Sequence, residues 1–171
     1  MATVAQKTAM KSGRSRFTTV PIGSVAYGSS GTNTTLVAGT IYWAEIEIDR
    51  PVTLTGIAVL NGATVGTDNG LVALYDTNGA VVANSALAGA VAAGANAFQA
   101  RDFTAPVAVQ PGRYFVAYQS NGTTATLRTI AVSTFIDSLT ASATGAFGTL
   151  TALTVPTTIT ADKGPIAYAY V

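Results

Sequence analysis

From residue 17 onward, apolar and polar side chains alternate in short runs with a period of two, the spacing of half-buried strands. In "TIYWAEIEID" (40–49), Tyr42, Ala44, Ile46 and Ile48 share one face, and Trp43, Glu45, Glu47 and Asp49 share the other. Arg50-Pro51 ends the run. "VTLTGIAVL" (52–60) follows, with apolar residues on both faces near its end, and "NGATVGTDNG" (61–70) is a Gly/Asn loop. "LVALYD" (71–76), the turn "TNG" and "AVVAN" (80–84) predict a hairpin. "FQARDFTAPVAV" (98–109) and "RYFVAYQS" (113–120), joined by "QPG", predict a second strand pair. Asn121-Gly122 then predicts a tight hairpin turn into "TTATLRTI" (123–130). The Ala-rich stretch 85–97 is interrupted by Gly89 and Gly94 and has no polar face, so it reads as a loop or weak strand. A Thr-rich stretch (138–163) precedes the last strand in "GPIAYAYV", where Pro165 takes the first position, one that strands tolerate. Short strands at this spacing predict an all-β, antiparallel β-sandwich or barrel, one domain over 17–171.

The alternation is too apolar for a sheet with one wet face. Residues 57–60, 114–118 and 166–171 are apolar on both sides. Charged residues make up only 10% of the chain, against roughly 25% in typical soluble domains. Some of these runs can be central strands covered on both faces. Across the whole chain, so few charges point to a tight homo-oligomer or packed assembly that hides the excess. In the last strand, Ile166, Tyr168 and Tyr170 are expected to face the core. Ala167, Ala169 and Val171 would then form a smooth second face at a subunit contact. Whether 138–163 folds on its own sandwich or crosses to a neighbour is open at this stage.

Net charge is +1, so no global field steers the chain to nucleic acid or membrane. The uncharged stretches 77–100 and 138–161 hold too much Asn, Thr, Ser and Gly for a spanning helix, and no apolar signal segment opens the chain. The charge is unevenly placed. Lys7, Lys11, Arg14 and Arg16 put four of the nine basic residues in an acid-free basic arm at 1–16. That arm is either a solvated tail or a contact for an acidic partner surface.

Cysteine and histidine are both absent. Disulfides, His- or Cys-based nucleophile systems and His/Cys zinc sites are thereby excluded. Glu45, Glu47 and Asp49 project from one side of a strand, with neighbouring positions about 7 Å apart. That geometry could serve a carboxylate-pair glycosidase or calcium, but it equally describes the polar face of an amphipathic strand. Nothing nearby supplies a second catalytic feature, and no catalytic residue, cofactor or metal is assigned. Trp43 on that face would be an outward anchor, for a subunit interface or for sugar stacking. The loop at 61–70 has no phosphate-cradle lysine, and its Asp68-Asn69-Gly70 is turn chemistry.

The stretches "TGIAVLNGATVGTDNGLVALYDTNGAVVANSALAG", "GRYFVAYQSNGTTATLRTI" and "GAFGTLTALTVPTTITADKGPIAYAYV" resemble tailed-bacteriophage structural proteins. Among these the chain is most similar to small β-sandwich cement, or decoration, proteins that stud capsids. The resemblance covers most of residues 40–171. It implies a jelly-roll-like sandwich, a trimer or similar ring, and binding across major capsid protein subunits on the outer surface of the virion. The basic arm would then grip the shell. The alternative from a different class is a glycan- or receptor-binding module of a tail fibre or baseplate, using Trp43.

Overall fold

Alternation over 40–49 becomes a strand in the computed structural model, which describes residues 16–21, 26–131 and 138–171. Twelve strands are found among them. They are β1 (Arg16–Thr18), β2 (Thr32–Thr35), β3 (Ile41–Ile48), β4 (Val52–Leu60), β5 (Asn69–Tyr75) and β6 (Val81–Asn84), followed by β7 (Ala90–Val91), β8 (Phe98–Val109), β9 (Gly112–Ser120), β10 (Thr126–Thr129), β11 (Thr140–Ala143) and β12 (Ala167–Tyr170). One sheet has the order β1-β12-β4-β8. The other runs β11-β3-β9-β5-β6, with β7 also on β5, and β10 pairs with β2 in a separate ribbon. Every one of these pairings is antiparallel. With β2, β7, β10 and β11 set aside and the rest counted in chain order, the sheets read 1-8-3-6 and 2-7-4-5. That is the strand order of an eight-stranded jelly roll.

Between the two sheets lies the main core. Ile57, Val59, Phe103, Ala167 and Ala169 from the first sheet meet Tyr42, Ile46, Val72, Leu74, Val116 and Tyr118 from the second. The β2–β10 ribbon contributes Leu127 to the same core, together with the adjoining Leu36 and Ala125. The hairpin expected at 71–84 is present as β5–β6. Residues 85–97 form loop with only the two-residue β7, as their composition suggested.

Two expected strand pairs are not formed. β8 and β9 are consecutive, yet β8 pairs with β4 and β9 with β3 and β5, so "QPG" is a corner between sheets. Asn121-Gly122 does not fold β9 back on β10 either; β10 pairs with β2. Asp68 diverts the chain at that point. Its Oδ2 accepts from the backbone N–H of Thr124 at 2.6 Å and of Ala125 at 2.8 Å. Asn121 closes the same junction, donating from its N–H to Asn69 O and accepting from Asn69 N–H at its Oδ1.

The outer face of the second sheet is also dry, and this corrects the expectation for Trp43. Trp43 is only 2% exposed and packs with Ile41, Tyr75, Phe115 and Leu153. The chain's own Thr-rich segment covers it: β11 pairs with β3, and Leu139, Ala141, Leu150 and Val155 lie against this second core. Residues 138–163 thus fold on their own sandwich. Continuous runs such as "LVALY" and "YFVAY" are apolar because both faces of β5 and β9 are buried inside a single chain.

Backbone contact and one buried amide anchor the cover. Leu153 N–H donates to Gly79 O at 2.8 Å. Gln119, fully buried, donates to Gly39 O and Ala146 O and accepts from Gly148 N–H. Gly79 has φ 77°, and a Cβ there would lie 2.0 Å from Leu153 O. Gly79→Ala should therefore cost about 2 kcal/mol, combining left-handed strain with backbone displacement. Urea unfolding monitored by Trp43 fluorescence checks this, since Trp43 lies under the displaced segment; a variant within 0.5 kcal/mol of the parent contradicts it, taking roughly that span as the neutral range.

Candidate functional site

Among the described residues, no segment covers the outer face of the β1-β12-β4-β8 sheet as 138–163 covers the second sheet. Its rows follow from register. Tyr168 stands between Thr18 on β1 and Ala58 on β4, and Ala58 faces Ala100 on β8. One row further, Tyr170 stands between Arg16 and Gly56, and Gly56 faces Asp102. Small residues on β4 leave room for the tyrosines to lean across it. The Tyr170 hydroxyl donates to Asp102 Oδ1 at 2.6 Å, spanning Gly56. A Cβ on Gly56 would meet that hydroxyl at 2.3 Å and the backbone oxygen of Arg101 at 2.5 Å, and the backbone cannot swing aside, so this position requires glycine.

The rings form a continuous row. Tyr27 meets Phe98 edge-on at 5.2 Å, Phe98 meets Tyr168 at 5.0 Å, and Tyr168 meets Tyr170 at 6.3 Å. Arg16 lies over the Tyr168 ring at 4.7 Å. Tyr27 is 37% exposed, and Phe98, Tyr168 and Tyr170 are half-buried. Burial raises the Tyr170 phenol above its ordinary value, and the hydrogen bond to Asp102 and that carboxylate's charge raise it further. The phenol stays neutral at physiological pH. Chemically, the face offers ring surfaces, one pinned phenol, one carboxylate and one guanidinium, a set suited to stacking and hydrogen bonding.

The C-terminal strand reverses the faces expected for it. Ala167 and Ala169 point into the main core, fully buried, while Tyr168 and Tyr170 point outward. The inward positions must be small because Tyr42, Tyr118 and Phe17 already fill the same core. Ala167, Ala169 and Trp43 are consequently buried within one chain and offer no surface for a subunit contact. Val171 remains exposed. Ile166 is buried beside Ala44, Leu60 and Ile130, as the inward expectation required for it alone.

Lys7, Lys11 and Arg14 lie outside the described residues. Arg16 does not belong to a free arm; it opens β1, opposite Tyr170. Glu45 is half-buried, accepting from Leu139 N–H at 3.2 Å and standing 4.0 Å from Arg113 Nε. Glu47 and Asp49 are exposed. No group of three or more His, Cys, Asp or Glu among the described residues could hold a metal. The outer aromatic row was the feature missed by sequence reasoning. Its signal was the pairing of small outward residues, Gly56 and Ala58, with aromatic neighbours, but that can be read only once strand partners are known.

Comparison with family models, curated proteins and solved structures gave no match to this chain. Among the described residues, no helix is long and apolar enough to cross a membrane.

Proposed function

We propose that this chain is a structural virion protein, a cement or decoration protein that binds the assembled phage capsid from outside and stabilises it. The strand order carries the reading, since double-sheet jelly rolls recur in viral capsid and lectin domains. The charge-poor composition and the resemblance of 40–171 to phage structural proteins support it. A protein that binds only the assembled shell stabilises it by mass action, and a trimer would multiply weak contacts into avidity. Partners would be the major capsid protein and further copies of this chain.

Light scattering should show a discrete oligomer. The protein should co-sediment with expanded capsids of the major capsid protein encoded with it, and not with free capsid subunits. A stable monomer that ignores capsids overturns the proposal. Deleting residues 1–15, which spares β1, should weaken shell binding more at low salt than at high salt if Lys7, Lys11 and Arg14 grip an acidic surface. Equal binding retires the role of the arm.

The exposed aromatic row supports one second reading, a glycan- or receptor-binding module of a tail fibre or baseplate. Lectins also use this strand order, and ring faces stack on sugars. On that reading a glycan-array signal disappears in Tyr168→Ala and survives in Trp43→Phe, because Trp43 is interior. Survival of the signal in Tyr168→Ala removes the reading.

A further inference from the structure

Arg101 faces the sandwich interior from β8, on the same side as Phe103, and is only 6% exposed. Its Nη2 makes a long contact of 3.4 Å to Gln99 Oε1. That oxygen already accepts from Ala93 N–H at 2.9 Å and from the Asn61 amide at 3.1 Å. The guanidinium carbon stands 5.8 Å from the centroid of the Tyr118 ring. Nε and Nη1 are buried with no hydrogen-bond partner. No ion pair among the described residues involves Arg101. The nearby acids are committed elsewhere: Asp102 to the Tyr170 hydroxyl, and Asp68 to the N–H groups of Thr124 and Ala125. A buried carboxylic acid could escape this situation by neutralising itself. A guanidinium cannot, and a buried charge without a counter-charge is strongly unfavourable.

Beside it lies a cavity of about 170 Å³ whose wall includes Gly70, Ser85, Ala86, Gly89, Ala90 and Arg101. Its lining is mostly small apolar side chains and glycine backbone, with Ser85, Gln99, Arg101 and Asp102 supplying polar groups. The Asp102 carboxylate on this wall accepts from the Tyr170 hydroxyl and makes no ion pair with Arg101. The apolar part of the wall favours an organic tail, and the Asp102 charge disfavours a strongly hydrated, multiply charged phosphate. Nε–H and Nη2–H lie along one edge of the planar guanidinium, the edge that a carboxylate grips with two parallel bonds. We propose that this cavity binds a short-chain monocarboxylate. Its oxygens take Nε and displace Gln99 from Nη2, and its alkyl end rests against Ala86 and Ala90.

The test is a titration of the full-length protein with sodium propionate, against sodium chloride and sodium phosphate at matched ionic strength, read by ¹⁵N NMR. The Arg101 Nε–H resonance should move downfield saturably with propionate, together with the amides of Gly70 and Ala90. Arg101→Gln should weaken propionate binding by about tenfold or more, the equivalent of losing a charge-assisted hydrogen bond. Three results overturn the proposal: an unmoved Arg101 resonance in the wild-type protein, equal saturation by chloride or phosphate, or unchanged affinity in Arg101→Gln. The wild-type resonance decides the matter even if the variant does not fold. Ala90→Leu, which puts a larger side chain on the cavity wall, should also abolish the saturable shift, and its retention counts against the site.

Discussion

Trp43→Ala should destabilise the protein by about 4 kcal/mol, the range for emptying a large aromatic site in a closed core. Trp43 is enclosed by Ile41, Phe115 and Tyr75 on its own sheet and by Leu153 and neighbouring apolar residues of the cover. The cover cannot collapse into the void, because Leu153 is fixed to Gly79 and Gln119 holds Gly39, Ala146 and Gly148. Chemical unfolding of the variant checks the magnitude, followed by tyrosine fluorescence since the tryptophan is gone. A loss below about 1 kcal/mol, the centre of the range for point substitutions of every kind, would mean that the cover is not closed. A protein using Trp43 as an outward anchor would instead keep its stability and lose only a partner.

Asp68→Ala should cost about 3 kcal/mol. The carboxylate is buried and satisfies two backbone N–H groups, and each buried donor left without a partner costs roughly 1–3 kcal/mol. The effect should also depend on pH. Burial raises the Asp68 pKa, but hydrogen bonds from Ala125 and Thr124 outweigh it, leaving the group below its ordinary value of 3.8. A depressed folded-state pKa means that the stabilisation is complete above 3.8. It is lost as pH falls below that value through the lower folded-state pKa. Thermal melts of wild type and variant should therefore differ most at neutral pH and converge in acid. A gap that stays constant with pH contradicts the assignment to the ionised carboxylate.

The sandwich was legible because its information is local. Period-two alternation over 40–49 and the turn "TNG" need nothing beyond their own residues. What failed was everything decided at a distance. A turn such as "QPG" or Asn121-Gly122 states that the chain bends, not which sheet receives it. The second of these went astray because Asp68, more than fifty positions earlier, supplied a competing set of hydrogen bonds. Trp43 was misplaced because a polar-looking strand face was equated with a wet one. Glu45 and Glu47 sit near the edge of that face, and Thr-rich chain covers the rest. Ala167 and Ala169 were misassigned because large residues were expected inside, whereas the interior at β12 is already filled from the opposite sheet. The aromatic row and the cavity at Arg101 each combine residues of several strands, and no short window displays them.

The position of β12 also orders events in time. It lies between β1 and β4, in the middle of its sheet. Until residues 167–170 are available, β1 has no strand to join and the inner edge of β4 stands open. During synthesis, β1 and one edge of β4 therefore wait for residues 167–170, and that open edge is prone to wrong pairings. Folding should be slow, as expected when the closing contacts join distant parts of a chain. Growth temperature and chaperone supply should then govern soluble yield more strongly than the stability of the finished sandwich does.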